Sequence, residues 1–224
     1  MEEYVNHHSH DLNNSILMSS PSLISFMDKD KNITWYSPLE NENHKEYRNE
    51  FLDLDAEWKS SKSQMKNYWP AQGPRWDGIA MVQGKDGKKG LVLVEAKAHV
   101  QEMRSKLKAT DPQSVDLIKR TIREIKAVFG SESSMHPWLN QYYQLSNRLA
   151  YLYILNEKMK IPTWLALVNF VDDESHKPTS VKQWMDHYQE VLAELDINFD
   201  SSSLLNRLVT IYPKDLKGDI GGKE

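Results

Sequence analysis

Residues 75–99 read Arg-Trp-Asp-Gly-Ile-Ala-Met-Val-Gln-Gly-Lys-Asp-Gly-Lys-Lys-Gly-Leu-Val-Leu-Val-Glu-Ala-Lys-Ala-His. Two apolar runs, Ile79 to Val82 and Leu91 to Val94, flank a polar, glycine-rich segment, which is the pattern of a β-hairpin bending at Asp86-Gly87. With Gly87 left-handed in a three-residue loop, Gly84 pairs with Lys88. Counting outward, Val82 meets Gly90, Ile79 meets Leu93 and Asp77 meets Glu95. Side chains alternate faces along a strand, so Glu95 and Lys97 point the same way. Asp77, Glu95 and Lys97 therefore converge at the open end of the hairpin. Leu91 to Val94 is apolar on both faces, which suits a strand covered on both sides. Opposed carboxylates in such a place repel and need a partner. A divalent cation supplies one; Lys97 neutralising the acids at a strand end supplies another.

Asp77, followed at hairpin distance by Glu95-Ala96-Lys97 after an apolar strand, resembles the PD-(D/E)XK motif. That motif is the core of the restriction-endonuclease-like nucleases, which include type II restriction enzymes, phage-type exonucleases and junction resolvases. The motif's proline is replaced: Trp76 precedes Asp77, and the nearest proline is Pro74. The resemblance implies an α/β fold with a central mixed sheet flanked by helices. It implies metal-dependent hydrolysis of phosphodiester bonds, with DNA the expected substrate. Asp77 and Glu95 are then the ligands of one or two Mg²⁺ (or Mn²⁺) ions, helped by the Ala96 carbonyl, and Lys97 positions the attacking water or neutralises developing charge. Such metals lower the pKa of the attacking water and stabilise the scissile phosphate.

Superfamily members often draw an additional acid from a helix ahead of the hairpin. Residues 43–58 read as that helix, with Tyr47, Phe51, Leu54 and Trp58 as its apolar stripe. Of Glu46, Glu50, Asp53 and Glu57, Glu50 at the edge of the stripe is the candidate catalytic acid and Glu57 the reserve. A first strand before the hairpin is also expected, and no convincing one is legible. Two competing readings remain: a non-catalytic nucleic-acid-binding or assembly module that keeps the fold, and a structural charge cluster in an unrelated α/β protein.

Composition constrains the rest. The 224 residues contain no cysteine, which excludes disulfides and thiolate metal sites. No apolar run approaches a membrane span, and no secretory signal is evident, so a soluble cytoplasmic protein is expected. The net charge is −4, yet residues 85–126 carry eleven Lys/Arg against six Asp/Glu, a basic zone suited either to a phosphate backbone or to an ordinary solvated surface. Nucleic acid is the expected partner, with a homodimer the further candidate and no membrane.

Along the chain, residues 1–40 read as an N-terminal extension, 41–213 as the nuclease-like domain and 214–224 as a polar tail. Residues 1–15, with His7, His8 and His10, read as a solvated terminus. Ser20 caps a short helix at Pro21, and Ile33 to Tyr36 is a brief β-prone stretch. Residues 60–74 form a connector, whose Trp69, with Trp76 beyond it, packs under the hairpin or stacks on bases. Asp111-Pro112 opens a helix closed by Gly130, and Pro137 a long helix to about Glu157. On the latter, Trp138, Tyr142, Leu145, Leu149 and Leu152 form an apolar stripe with Gln141, Gln144 and Arg148 as a polar line beside it, and Arg148 either holds a phosphate or makes a salt bridge on the helix flank. Gln144 and Tyr151 resemble only weakly the glutamine-tyrosine motif of some exonuclease-like members. Thr163 to Val171 is a strand following a helix, Asp172-Asp173-Glu174 a solvated loop, Val181 to Leu195 a helix, and Leu208 to Tyr212 an edge strand.

Overall fold

The hairpin folds in the expected register. In the computed structural model, which describes residues 1–173 and 177–214, Gly84 N–H donates to Lys88 O at 2.7 Å. Gly87 sits at φ 78°, a conformation that costs an L side chain and suits glycine. Strands β2 (Gly78–Gln83) and β3 (Lys89–Lys97) then pair Val82 with Gly90 and Ile79 with Leu93.

The missing first strand is the brief β-prone stretch: β1 (Thr34–Ser37) pairs antiparallel with β2. On the other side β3 pairs parallel with β4 (Thr163–Asn169), which pairs parallel with β5 (Leu208–Ile211). The result is a five-stranded mixed sheet in the order β1-β2-β3-β4-β5, with β3 at its centre.

Both faces of that sheet are covered, as an all-apolar central strand requires. Leu91 and Leu93 face α5 (Pro112–Val128), α6 (Tyr143–Tyr153) and α7 (Val181–Leu195), with Ile122, Leu149 and Trp184 fully buried against them. Val92 and Val94 face the N-terminal helices α1 (Glu2–His7), α2 (Ser9–Met18) and α3 (Pro21–Phe26), through Leu12, Ile16 and Leu23. Residues 1–40 are therefore a layer of the domain, not an extension outside it. Their small apolar set is scattered among polar residues, which disguises it in the sequence. Within residues 1–15, α1 and the start of α2 are joined at His8, and His7, His8 and His10 lie beside three different acids, Glu40, Glu3 and Asp11.

The helix expected over 43–58 is broken. Asn43 and His44 take positive φ, Asn49–Leu54 is a 3-10 turn, and Asp55 is extended, capping α4 (Ala56–Ser61) through Glu57 N–H at 2.9 Å. The stripe residues Tyr47, Phe51 and Trp58 are nevertheless buried, with Leu54 packed beside them. The helix expected from Pro137 is also interrupted: π turns at Pro137–Gln141 and Ile154–Lys158 flank α6, with Tyr142 bridged to Ser105 at the break. Trp69 and Trp76 are buried and so pack beneath the hairpin instead of presenting faces to bases. Of the expected acidic loop, Asp172 is exposed, Asp173 is buried, and Glu174 lies outside the described residues. Of the tail, Lys214 bridges Val171, and 215–224 lie outside them. Among the described residues no helix is long and apolar enough to cross a membrane.

Candidate active site

Glu95 lies near the C-terminal end of the central strand, on the face it shares with Leu91 and Leu93, and is only 4% exposed. A carboxylate there must be paired. Lys97, two residues on and on the same face, bonds Glu95 Oε1. From α6, Arg148 places Nε and Nη2 on the other oxygen, Oε2, at 2.6 and 2.5 Å.

Asp77 extends the hairpin ladder one residue beyond β2. Its N–H donates to Val94 O at 3.1 Å, and its Oδ2 accepts from Ala96 N–H at 2.8 Å. Burial, then the nearby charge of Glu95, pushes the Asp77 carboxyl up to about 6, against the pull of the Ala96 N–H, Lys97 and Arg148. The three residues expected to meet at the open end of the hairpin are thus brought together. Two carboxylates face two cations there.

Arg148 is the member the sequence undervalued. It makes a salt bridge, but at the buried centre and not on an outer helix flank. Its Nη2 also reaches Arg75 O at 2.8 Å and its Nη1 reaches Asn147 Oδ1 at 2.7 Å, while the guanidinium lies 4.7 Å from the Trp76 ring centroid. The available signal was its position between the stripe residues Leu145 and Leu149, where an arginine needs a buried acid. Beyond Lys97, Asn169 on β4 is buried and accepts from Tyr188 O–H at 3.0 Å. Burial raises the Tyr188 hydroxyl pKa well above its usual value, so it remains a neutral donor.

The helix acids fare differently. Glu50 is exposed, and its Oε2 accepts from Arg48 N–H at 2.8 Å. Its own backbone N–H, and then that of Arg48, hold its carboxyl below the usual range. Among the described residues no hydrogen bond or ion pair joins it to Asp77, Glu95 or Lys97. Broken helical geometry over 43–58 removes the face on which it was placed. Glu57 lines a cavity with Lys88 and Lys89 at the bend of the hairpin. Six residues of strand separate Lys89 from Glu95, about 20 Å at the usual rise, so Glu57 belongs to the opposite end of the sheet. Gln144 gives its backbone N–H to Ser105 Oγ, and Tyr151 O–H donates to Asn49 Oδ1. Much of the basic zone is engaged within the chain: Lys89 with Asp55, Arg120 with Asn67 O, Lys126 with Ser131 and Ser133. Lys106, Lys108 and Arg123 stand exposed.

Hard oxygen donors suit Mg²⁺ or Mn²⁺, and Mg²⁺ commonly takes one or two carboxylates plus water and phosphate. Asp77, a desolvated acid beside a second one, is the kind of group whose charge a divalent cation offsets. The donor chemistry therefore fits. Among the described residues no third His, Asp or Glu converges with the pair. Arg148 makes two contacts to Glu95 Oε2 and Lys97 makes one to Oε1, so a metal would meet Glu95 at Oε1, beside Lys97 or in its place. No family model, curated protein or solved structure matches the chain.

The raised Asp77 pKa gives a prediction for metal-free protein. In the unfolded chain this carboxyl ionises near 3.8, and in the folded chain near 6. Between these values the native state holds the extra proton, so the Asp77 contribution to stability falls as pH rises from about 4 to about 6. At about 1.4 kcal/mol per pH unit, the penalty above pH 6 is on the order of 3 kcal/mol. Asp77→Asn is expected to gain stability over wild type above pH 6, and the gain shrinks towards pH 4. Urea melts across that range in EDTA measure it; a pH-independent difference sinks the argument.

Proposed function

We propose that this chain is a metal-dependent nuclease of the restriction-endonuclease-like type, cutting phosphodiester bonds in DNA. The observation that carries the proposal is the meeting of Asp77, Glu95 and Lys97 at the open end of a hairpin whose second strand is the centre of the sheet. The order of elements supports it: a strand, then the hairpin, then helices, then a strand parallel to β3, as the resemblance implies. Asp77 and Glu95 would hold Mg²⁺ or Mn²⁺, which when bound supplies an activated water and charge neutralisation at the phosphate. Lys97 would donate to an oxygen that gains charge in the transition state. The exposed Lys106, Lys108 and Arg123 are available for a phosphate backbone.

The test combines binding and chemistry. Mn²⁺ at about 100 times its dissociation constant stabilises the folded state by about 2.7 kcal/mol, and the resulting rise in melting temperature should vanish in Asp77→Ala. Labelled single- and double-stranded DNA should be cut by wild type only with metal. A second reading rests on a specific observation: Lys97 and Arg148 already satisfy both oxygens of Glu95. A chain that binds DNA but neither shifts with Mn²⁺ nor cuts is the non-catalytic module that this saturation favours.

A further inference from the structure

We infer that Arg148 is a positioning residue that fixes the spacing of the two carboxylates, and that Lys97 is the exchangeable cation. The inference rests on Asp77 and Glu95 being metal ligands.

Arg148 touches β3 and the segment that leads into β2. Two of its nitrogens hold Glu95 Oε2 on β3, and Nη2 simultaneously holds Arg75 O, two residues before Asp77. Its guanidinium covers the ring of Trp76, the residue adjoining Asp77. It is 4% exposed, with Asn147 on its remaining terminal nitrogen, so its conformation is fixed from several sides. Among the described residues no helix acid is bonded to the cluster, and Arg148 links the backbone ahead of Asp77 to the carboxylate of Glu95. Lys97 differs in each respect. It holds Glu95 Oε1 through one flexible ammonium, and its side chain is more exposed, 12% against 4%. Of the two cations, Lys97 can leave its oxygen with the smaller loss.

Arginine can do this because its planar fork spans two acceptors, whereas a lysine ammonium keeps the charge on one point. Groups that orient metal ligands typically contribute about 10–100-fold to metal affinity. Mn²⁺ binding to purified full-length chain, measured by the electron paramagnetic resonance of free Mn²⁺, gives a readout independent of cleavage. Arg148→Lys is expected to weaken Mn²⁺ binding by about 10–100-fold, while Lys97→Met binds as tightly as wild type or more tightly. A purely neutralising role for Arg148 predicts instead that Arg148→Lys, which keeps the charge, binds Mn²⁺ like wild type. That result overturns the inference and leaves the nuclease proposal standing. Wild type with no Asp77-dependent Mn²⁺ binding overturns both. Should Arg148→Lys fail to give a cooperative melt, Asn147→Ala decides. It loosens the guanidinium without unpairing Glu95, and an affinity equal to wild type overturns the positioning role.

Discussion

Lys97→Ala is expected to lower metal-dependent DNA cleavage by about 10²–10³ while leaving most DNA affinity intact, the usual range for removing a donor that acts on developing charge. The expectation follows from where Lys97 lies: at the end of β3, on the carboxylate face, held in the resting chain by Glu95 Oε1. An interaction made only in the transition state lowers the chemical rate without a matching loss of ground-state binding. Single-turnover cleavage and fluorescence anisotropy on the same labelled oligonucleotide separate the two. If Lys97 serves only to balance Glu95, the variant instead cuts at the wild-type rate and melts earlier. A folded Lys97→Ala protein that cuts normally removes Lys97 from the mechanism.

Glu95→Ala should act on the fold as strongly as on the chemistry. It leaves Arg148 buried with no carboxylate, and breaking one side of a buried ion pair typically costs about 3–5 kcal/mol. For a domain with ordinary stability of about 5–15 kcal/mol, that is a large share. Glu95→Ala with Arg148→Met, which removes the stranded charge, should recover part of the loss. Urea melts of wild type, both single variants and the double variant make the cycle. Additive losses would mean that the 2.5 Å contact between Arg148 and Glu95 contributes no coupling, contrary to its burial. The contrast with Asp77 is informative. Removing the charge of Asp77 and of Glu95 should act oppositely on stability, because among the described residues Glu95 is bonded to two cations and Asp77 to the Ala96 N–H.

Local patterning was enough to determine the hairpin. Glycine at positive φ, two apolar runs and strand alternation set the register, and the register alone places Asp77 opposite Glu95 with Lys97 beside it. These are short-range constraints, each satisfied within 25 consecutive residues or fewer. The caps at Ser20 and Asp111 and the burial of the stripes at 47–58 and 138–152 were legible for the same reason. Helical continuity through those stripes was not, because burial of Tyr47, Phe51 and Trp58 is satisfied equally by a 3-10 turn and a short helix joined at an extended Asp55.

Tertiary structure decided the rest. The sheet needed a second cover, and helices α1 to α3 became it, since β3 is apolar on both sides and the helices after it cover only one. The first strand is four residues long and acquires its identity only by pairing with β2. Arg148 lies 53 residues from Glu95 in the chain, and nothing near it in sequence says which acid it meets. Spacing along a strand fixes which charges share a face. How a buried charge is compensated depends on which distant element packs over it, and here that element is α6.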